Sequence, residues 1–201
     1  MKILVVYYST YGHLYRLAKA VADGASAAGA EVRFVRVPEL VPADVIAGNA
    51  GMQCGAELQK DVAIARLEDA DWADGIAFGS PTRFGNMAAQ MKNYIDQLGP
   101  LWAQGALEGK PATCFTSSNT MHGGQESTLL TMWIPLIHLG MLVHGVPYSV
   151  AELMSTQSGG GPYGASTIAG AGGELLPNET ELAIARIQGK RLAEITAKVR
   201  G

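Results

Sequence analysis

Three short stretches concentrate the polar chemistry of this chain: Ser9-Thr-Tyr-Gly-His-Leu14, Ser80-Pro-Thr-Arg-Phe-Gly-Asn86 and Ser117-Ser-Asn-Thr-Met-His-Gly-Gly124. All three are rich in hydroxyls, amides and glycine, and together they carry a single Lys or Arg, Arg83. The first runs directly from an apolar stretch into a helical pattern. Its Ser9 and Thr10 hydroxyls and the N–H groups around Gly12 suit a terminal phosphate, which the helix dipole would favour. They suit a plain helix cap equally well. Several nucleotide and catalytic patterns are missing. There is no Gly-x-Gly-x-x-Gly and no Walker lysine, so neither a pyrophosphate turn nor a P-loop is indicated. Tyr7, Tyr8 and Ser9 stand where a receiver domain needs carboxylates. Neither His13 nor His122 has zinc-site spacing, and no Gly-x-Ser-x-Gly elbow occurs.

The elements that must position these loops follow from periodicity. Lys2 to Tyr8 is a continuous apolar run, as in a strand covered on both faces. Leu14, Leu17, Ala18, Val21, Ala22 and Ala25 form a helical stripe that Gly29 ends. A second strand spans Glu31 to Val37, a third Gly75 to Gly79, a fourth Pro111 to Ser117 and a fifth Met141 to Val146. Asn86 is predicted to cap a helix bearing Met87, Met91, Tyr94, Ile95 and Leu98. Further helices cover Gln125 to Leu139, with Trp133 in its core, and a stretch from an Asn178/Glu181 capping box to about Lys198. Five strands alternating with helices predict one doubly wound α/β domain over residues 1–201, a three-layer αβα sandwich around a parallel sheet. Residues 38–60 form a long excursion, and the glycine-rich 155–173 reads as an irregular loop.

Composition narrows the classes. A formal charge of −3 favours neither nucleic acid nor an anionic membrane. Cys54 and Cys114 make no redox or metal spacing, so a reducing cytoplasm is expected. The uncharged stretch from Ser127 to Ala151 is long enough to span a bilayer, but Pro135, Gly140, Gly145 and Pro147 make it a buried helix and strand instead. Around Trp102, the loop Gly99 to Gly105 with Leu101, Ala103, Ala106 and Leu107 is expected to expose an apolar patch.

Taken together, Tyr8-Ser-Thr-Tyr-Gly-His13, Pro81-Thr-Arg-Phe-Gly-Asn-Met87, Gly99-Pro-Leu-Trp102 and Gly123-Gly-Gln-Glu126 resemble the WrbA family. His138 to Met141, Pro162-Tyr-Gly164 and Ala185-Arg-Ile-Gln-Gly189 extend the resemblance over the whole chain. That family is flavodoxin-like, binds FMN, assembles as homotetramers and passes electrons from NADH or NADPH to quinones. The resemblance implies that Ser9, Thr10, Tyr11, Gly12, His13 and Leu14 hold the FMN phosphate and ribityl end. It further implies that Pro81, Thr82, Arg83 and Phe84, with Ser117, Ser118, Asn119, Thr120, Met121 and His122, embrace the flavin ring. His138 would lie near the flavin, Tyr11 would meet the dinucleotide, and Trp102 would wall the substrate cavity in a tetramer. FMN rather than FAD agrees with the missing pyrophosphate glycines. Three departures from the family pattern stand at Asn119 to His122, at Leu139, and at Ala171-Gly-Gly-Glu174. The activity implied is two-electron quinone reduction by hydride transfer through FMN. The alternative class is a single-electron carrier, or an FMN-binding regulatory module without turnover.

Overall fold

The computed structural model describes residues 1–201. The chain opens with β1 (Lys2–Tyr7), α1 (His13–Ala27) and β2 (Glu31–Arg36), then enters the excursion, which holds α2 (Ala43–Ala47) and α3 (Ala50–Leu58). After α4 (Leu67–Trp72) come β3 (Gly75–Arg83), β4 (Asn86–Met87), α5 (Ala89–Asp96) and α6 (Gly99–Ala103). The second half contains β5 (Pro111–Ser118), α7 (Gln125–His138), β6 (Leu142–Val143), α8 (Ala151–Ser155), β7 (Ser166–Ile168) and α9 (Glu179–Arg200).

The sheet runs β2-β1-β3-β5-β6, with β7 also paired to β5 and β4 hairpinned onto β3. Every pairing except β3–β4 is parallel. Strand order therefore reverses between β1 and β3, and the loops that follow β1, β3 and β5 emerge side by side there. Period-2 alternation builds a core on each face. Leu4, Val6, Ile76, Phe78 and Cys114 pack on one side, against Met91, Ile95, Leu129 and Met132. Ile3, Val5, Tyr7, Ala77 and Phe115 pack on the other, against Leu14, Leu17, Val21, Ile184 and Leu192. On that second face α1 and α9 approach so closely that a Cβ on Gly24 would fall 1.9 Å from the Arg186 carbonyl oxygen, and one on Gly189 1.9 Å from that of Val21. The doubly wound three-layer architecture is as expected.

Several local expectations are corrected. Asn86 does not cap a helix; it pairs with Arg83 in β4, and α5 starts behind Ala88. The fifth strand shrinks to Leu142–Val143, because β7 takes the rest of that edge of β5. The glycine-rich 155–173 segment is thus not wholly irregular. Its strand is held by Glu181, whose buried carboxylate accepts from the N–H groups of Gly159 and Ile168 and from the Thr167 hydroxyl. The same carboxylate completes the foreseen capping box with Asn178. The segment around Trp102 is helical, and Leu101 and Leu107 are buried rather than exposed. No helix is long and apolar enough to cross a membrane.

Candidate functional site

A cavity of about 350 Å³ opens where strand order reverses. It is lined by Ser9, Thr10, Tyr11, His13 and Leu14 from the first loop, by Pro81, Thr82 and Arg83 from the second, and by Ser117, Ser118 and Asn119 from the third. Met52 of the excursion and Ala169 after β7 complete the wall. At Ser9 the hydroxyl serves the turn at the start of α1. Buried, it accepts from the N–H groups of Gly12 and Tyr15, each at 3.2 Å, and so sets the turn. Gly12 takes a left-handed φ of 90°, which lets the chain swing into α1. The N–H groups of Thr10, Tyr11, His13 and Leu14 donate to no protein acceptor, yet all four residues line the cavity. Four free donors at the start of a 15-residue helix are suited to an anion.

The second loop is tied to the first. Arg83 Nη2 donates to Thr10 Oγ1 at 2.9 Å, while Nη1 donates to the Thr82 carbonyl. Thr82 Oγ1 in turn accepts from the Gly85 N–H and from the Thr128 hydroxyl, which locks the loop to α7. Phe84 sits at φ 54°, an uncommon conformation for a bulky residue, and its ring is fully exposed. In the third loop, Ser118 Oγ donates to the Thr120 carbonyl, and Gln125 Nε2 donates to the carbonyls of Thr120 and Met121. His13 Nε2 donates to the Gly173 carbonyl at 2.9 Å and pins the end of the glycine-rich segment beside the first loop. Beneath the cavity, burial first of all pushes the Tyr8 phenol up to about 12, so it stays protonated and donates to Glu39.

Three features of this geometry suit a phosphorylated ligand: the free N–H donors, the Arg83 guanidinium and a cluster of hydroxyls. The sequence profile of the NADPH-dependent FMN reductase family matches residues 1–153. The chain belongs to that family. Relatives named NAD(P)H dehydrogenase (quinone) span the whole length. One from Aromatoleum aromaticum is 50% identical, covering 100% of this chain and 99% of its own. Another, from Geobacter metallireducens, is 51% identical and covers 100% of both. A solved structure of a WrbA-like flavodoxin from Agrobacterium tumefaciens superposes with a TM-score of 0.67 at 23% identity, over 98% of each chain, and shares the fold. The resemblance seen in the motifs is borne out, and the protein is an NAD(P)H-dependent flavin oxidoreductase with FMN as cofactor.

For this FMN reductase family member, the residues present fit the cofactor. The free N–H groups of Thr10, Tyr11, His13 and Leu14 match a phosphate, and the half-buried Thr82 with buried Pro81, Ser117 and Ser118 lines the cavity between two loops. Not every candidate residue lies there. Met121 and His122 line a separate cavity of about 370 Å³ with Ser158, Gly160, Gly161 and Tyr163, and Thr120 and Phe84 are exposed beside the loops. His138 and Trp102 share a third groove with Lys92, Ile95, Ile134 and Pro135, apart from the cavity within one chain. Met52, Ala169, Glu39 and Gln59 escaped sequence reasoning. Their types are commonplace, and only the three-dimensional course of the excursion brings them near.

Proposed function

We propose that the protein catalyses NAD(P)H + H⁺ + quinone → NAD(P)⁺ + hydroquinone, by a ping-pong sequence in which donor and acceptor occupy one cavity in turn. The observation that carries this reading is the single cleft shared by all three loops, with its polar floor and the Tyr11 side chain at 46% exposure on its wall. Bound FMN supplies the hydride-accepting and hydride-donating centre that links the two half-reactions. The chain's own residues hold and orient. Thr10, Tyr11, His13 and Leu14 bind the phosphate through their N–H groups, and Arg83, fixed by Thr10, keeps the second loop against the first. The N–H groups of Phe84, Asn119 and Thr120 meet no protein acceptor, so they are available as fixed dipoles for the polar edge of the ring. Met52 and Tyr11 complete the wall of the cavity.

The quinone named in the relatives' descriptions supports this chemistry. Initial rates measured over a grid of NADPH and benzoquinone concentrations test it. Parallel double-reciprocal lines are expected. Intersecting lines would contradict the alternating use of one cavity, and absence of turnover would leave a carrier or binding module instead.

We further propose a homotetramer in which Trp102 and His138 of one chain complete the cavity of another. Trp102 is 59% exposed and Ile134 56%, in one groove, an apolar surface of the kind that closed assembly covers.

A further inference from the structure

The excursion 38–60 meets the phosphate loop at both of its ends. At the start, the Glu39 carboxylate accepts from the Tyr8 hydroxyl, from Gln90 Nε2 and from the N–H groups of Leu40 and Val41. Gln90 Nε2 also donates to the Tyr8 oxygen. At the end, Gln59 Nε2 donates to the Ser9 carbonyl at 2.6 Å. Between them α3 lies directly on the loop: a Cβ on Gly55 would fall 2.2 Å from the Thr10 carbonyl oxygen and 2.9 Å from Tyr11 Cα. Gly51 faces the Tyr11 ring, and Gly12 faces Leu58. Gln59 is 6% exposed, and its Oε1 has no partner beside the small cavity it lines with Ser9, Thr10 and Glu39. A buried acceptor without a partner is destabilising, so stability alone would favour an apolar side chain there. What the amide does provide is a fixed Ser9 carbonyl.

We propose that the excursion is the clamp that shapes the FMN phosphate loop, with Glu39 and Gln59 as its positioning residues. Tyr8 and Ser9, held from opposite ends of the excursion, set the path of Thr10 to Leu14 and so the direction of the free N–H groups of Thr10, Tyr11, His13 and Leu14. The clamp rests on FMN as the cofactor. By linkage it works both ways: FMN must stabilise the excursion as much as the excursion favours FMN.

The test is fluorescence titration of the apoproteins with FMN. Gln59→Leu and Glu39→Ala are each expected to raise the FMN Kd about tenfold, the scale of one well-placed hydrogen bond. Leu107→Ala, a cavity variant in the remote core, is expected to lower thermal stability at least as much while keeping Kd within about twofold. Both clamp variants within about twofold of the parent would overturn the proposal. Hydrogen exchange on the parent needs no variant to fold: FMN should slow exchange in Ala50–Leu58, and unchanged protection there would equally overturn it. A parent that bound no FMN at all would overturn both the clamp and the cofactor assignment.

Discussion

Ser9 carries more than its position in a polar loop discloses. Its hydroxyl is committed to the Gly12 and Tyr15 N–H groups, and this leaves four neighbouring donors free for an anion. Replacing it with a carboxylate removes the cap geometry and places a negative charge beside the proposed phosphate position. Ser9→Glu is therefore expected to weaken FMN binding at least 100-fold, on the scale of about 3 kcal/mol for an uncompensated charge, with circular dichroism unchanged. Unaltered affinity would confine Ser9 to capping. A second residue-scale prediction concerns His144, whose Nδ1 donates to the Gly145 carbonyl while Nε2 is buried without a partner. Burial lowers its pKa below the ordinary 6.5, Arg191 lowers it further, and the Gly145 hydrogen bond opposes them. The unfolded chain then takes up a proton near pH 6.5 that the folded chain refuses until lower pH. Stability should fall as pH drops below about 6.5, and the His144→Gln variant should show a flatter Tm profile in that range. At this scale the loop residues were legible, because hydroxyl, amide and glycine runs follow apolar strands. Gln59 and Glu39 were not, since nothing in the spacing of a glutamine and a glutamate predicts where a long excursion returns.

Strand and helix order could be read from periodicity, and so could the helix pair that closes the second face of the sheet. The closeness of that pair could not. Gly24 and Gly189 let the backbones of α1 and α9 touch, and a Cβ at either would overlap a carbonyl oxygen. Gly189→Val is expected to cost about 3 kcal/mol or more by urea denaturation, beyond ordinary overpacking because the obstacle is backbone. A loss of less than about 1 kcal/mol would show that the helices slide apart freely. The glycine-rich segment was the element least legible in sequence. Its strand, Ser166–Ile168, has only three residues, and what orders the segment around it is Glu181, more than ten residues downstream. Asn86 failed as a cap for a related reason. Its hairpin with Arg83 depends on the left-handed turn at Phe84 and Gly85, a conformation that propensity does not assign to phenylalanine.

On the whole molecule, the cavity is built from one chain, and the groove of Trp102 and His138 shares no lining residue with it. Association is the proposed way to bring the two together. Light scattering should report a tetramer, and dilution toward monomer should lower quinone reductase activity while part of the FMN stays bound. Trp102→Ala is expected to raise the quinone KM about tenfold, consistent with losing an aromatic stacking surface, with FMN Kd changed less than about threefold. A fully active monomer would refute the shared cavity.

The central claim is that FMN held by these three loops carries electrons from a reduced nicotinamide to a quinone. Its most direct measurement is benzoquinone-dependent NADPH oxidation by the apoprotein as FMN is added back. Activity should be absent without FMN, rise with it and level off at equimolar FMN, in parallel with the quenching of flavin fluorescence. Saturated FMN binding without benzoquinone-dependent NADPH or NADH oxidation would contradict the account.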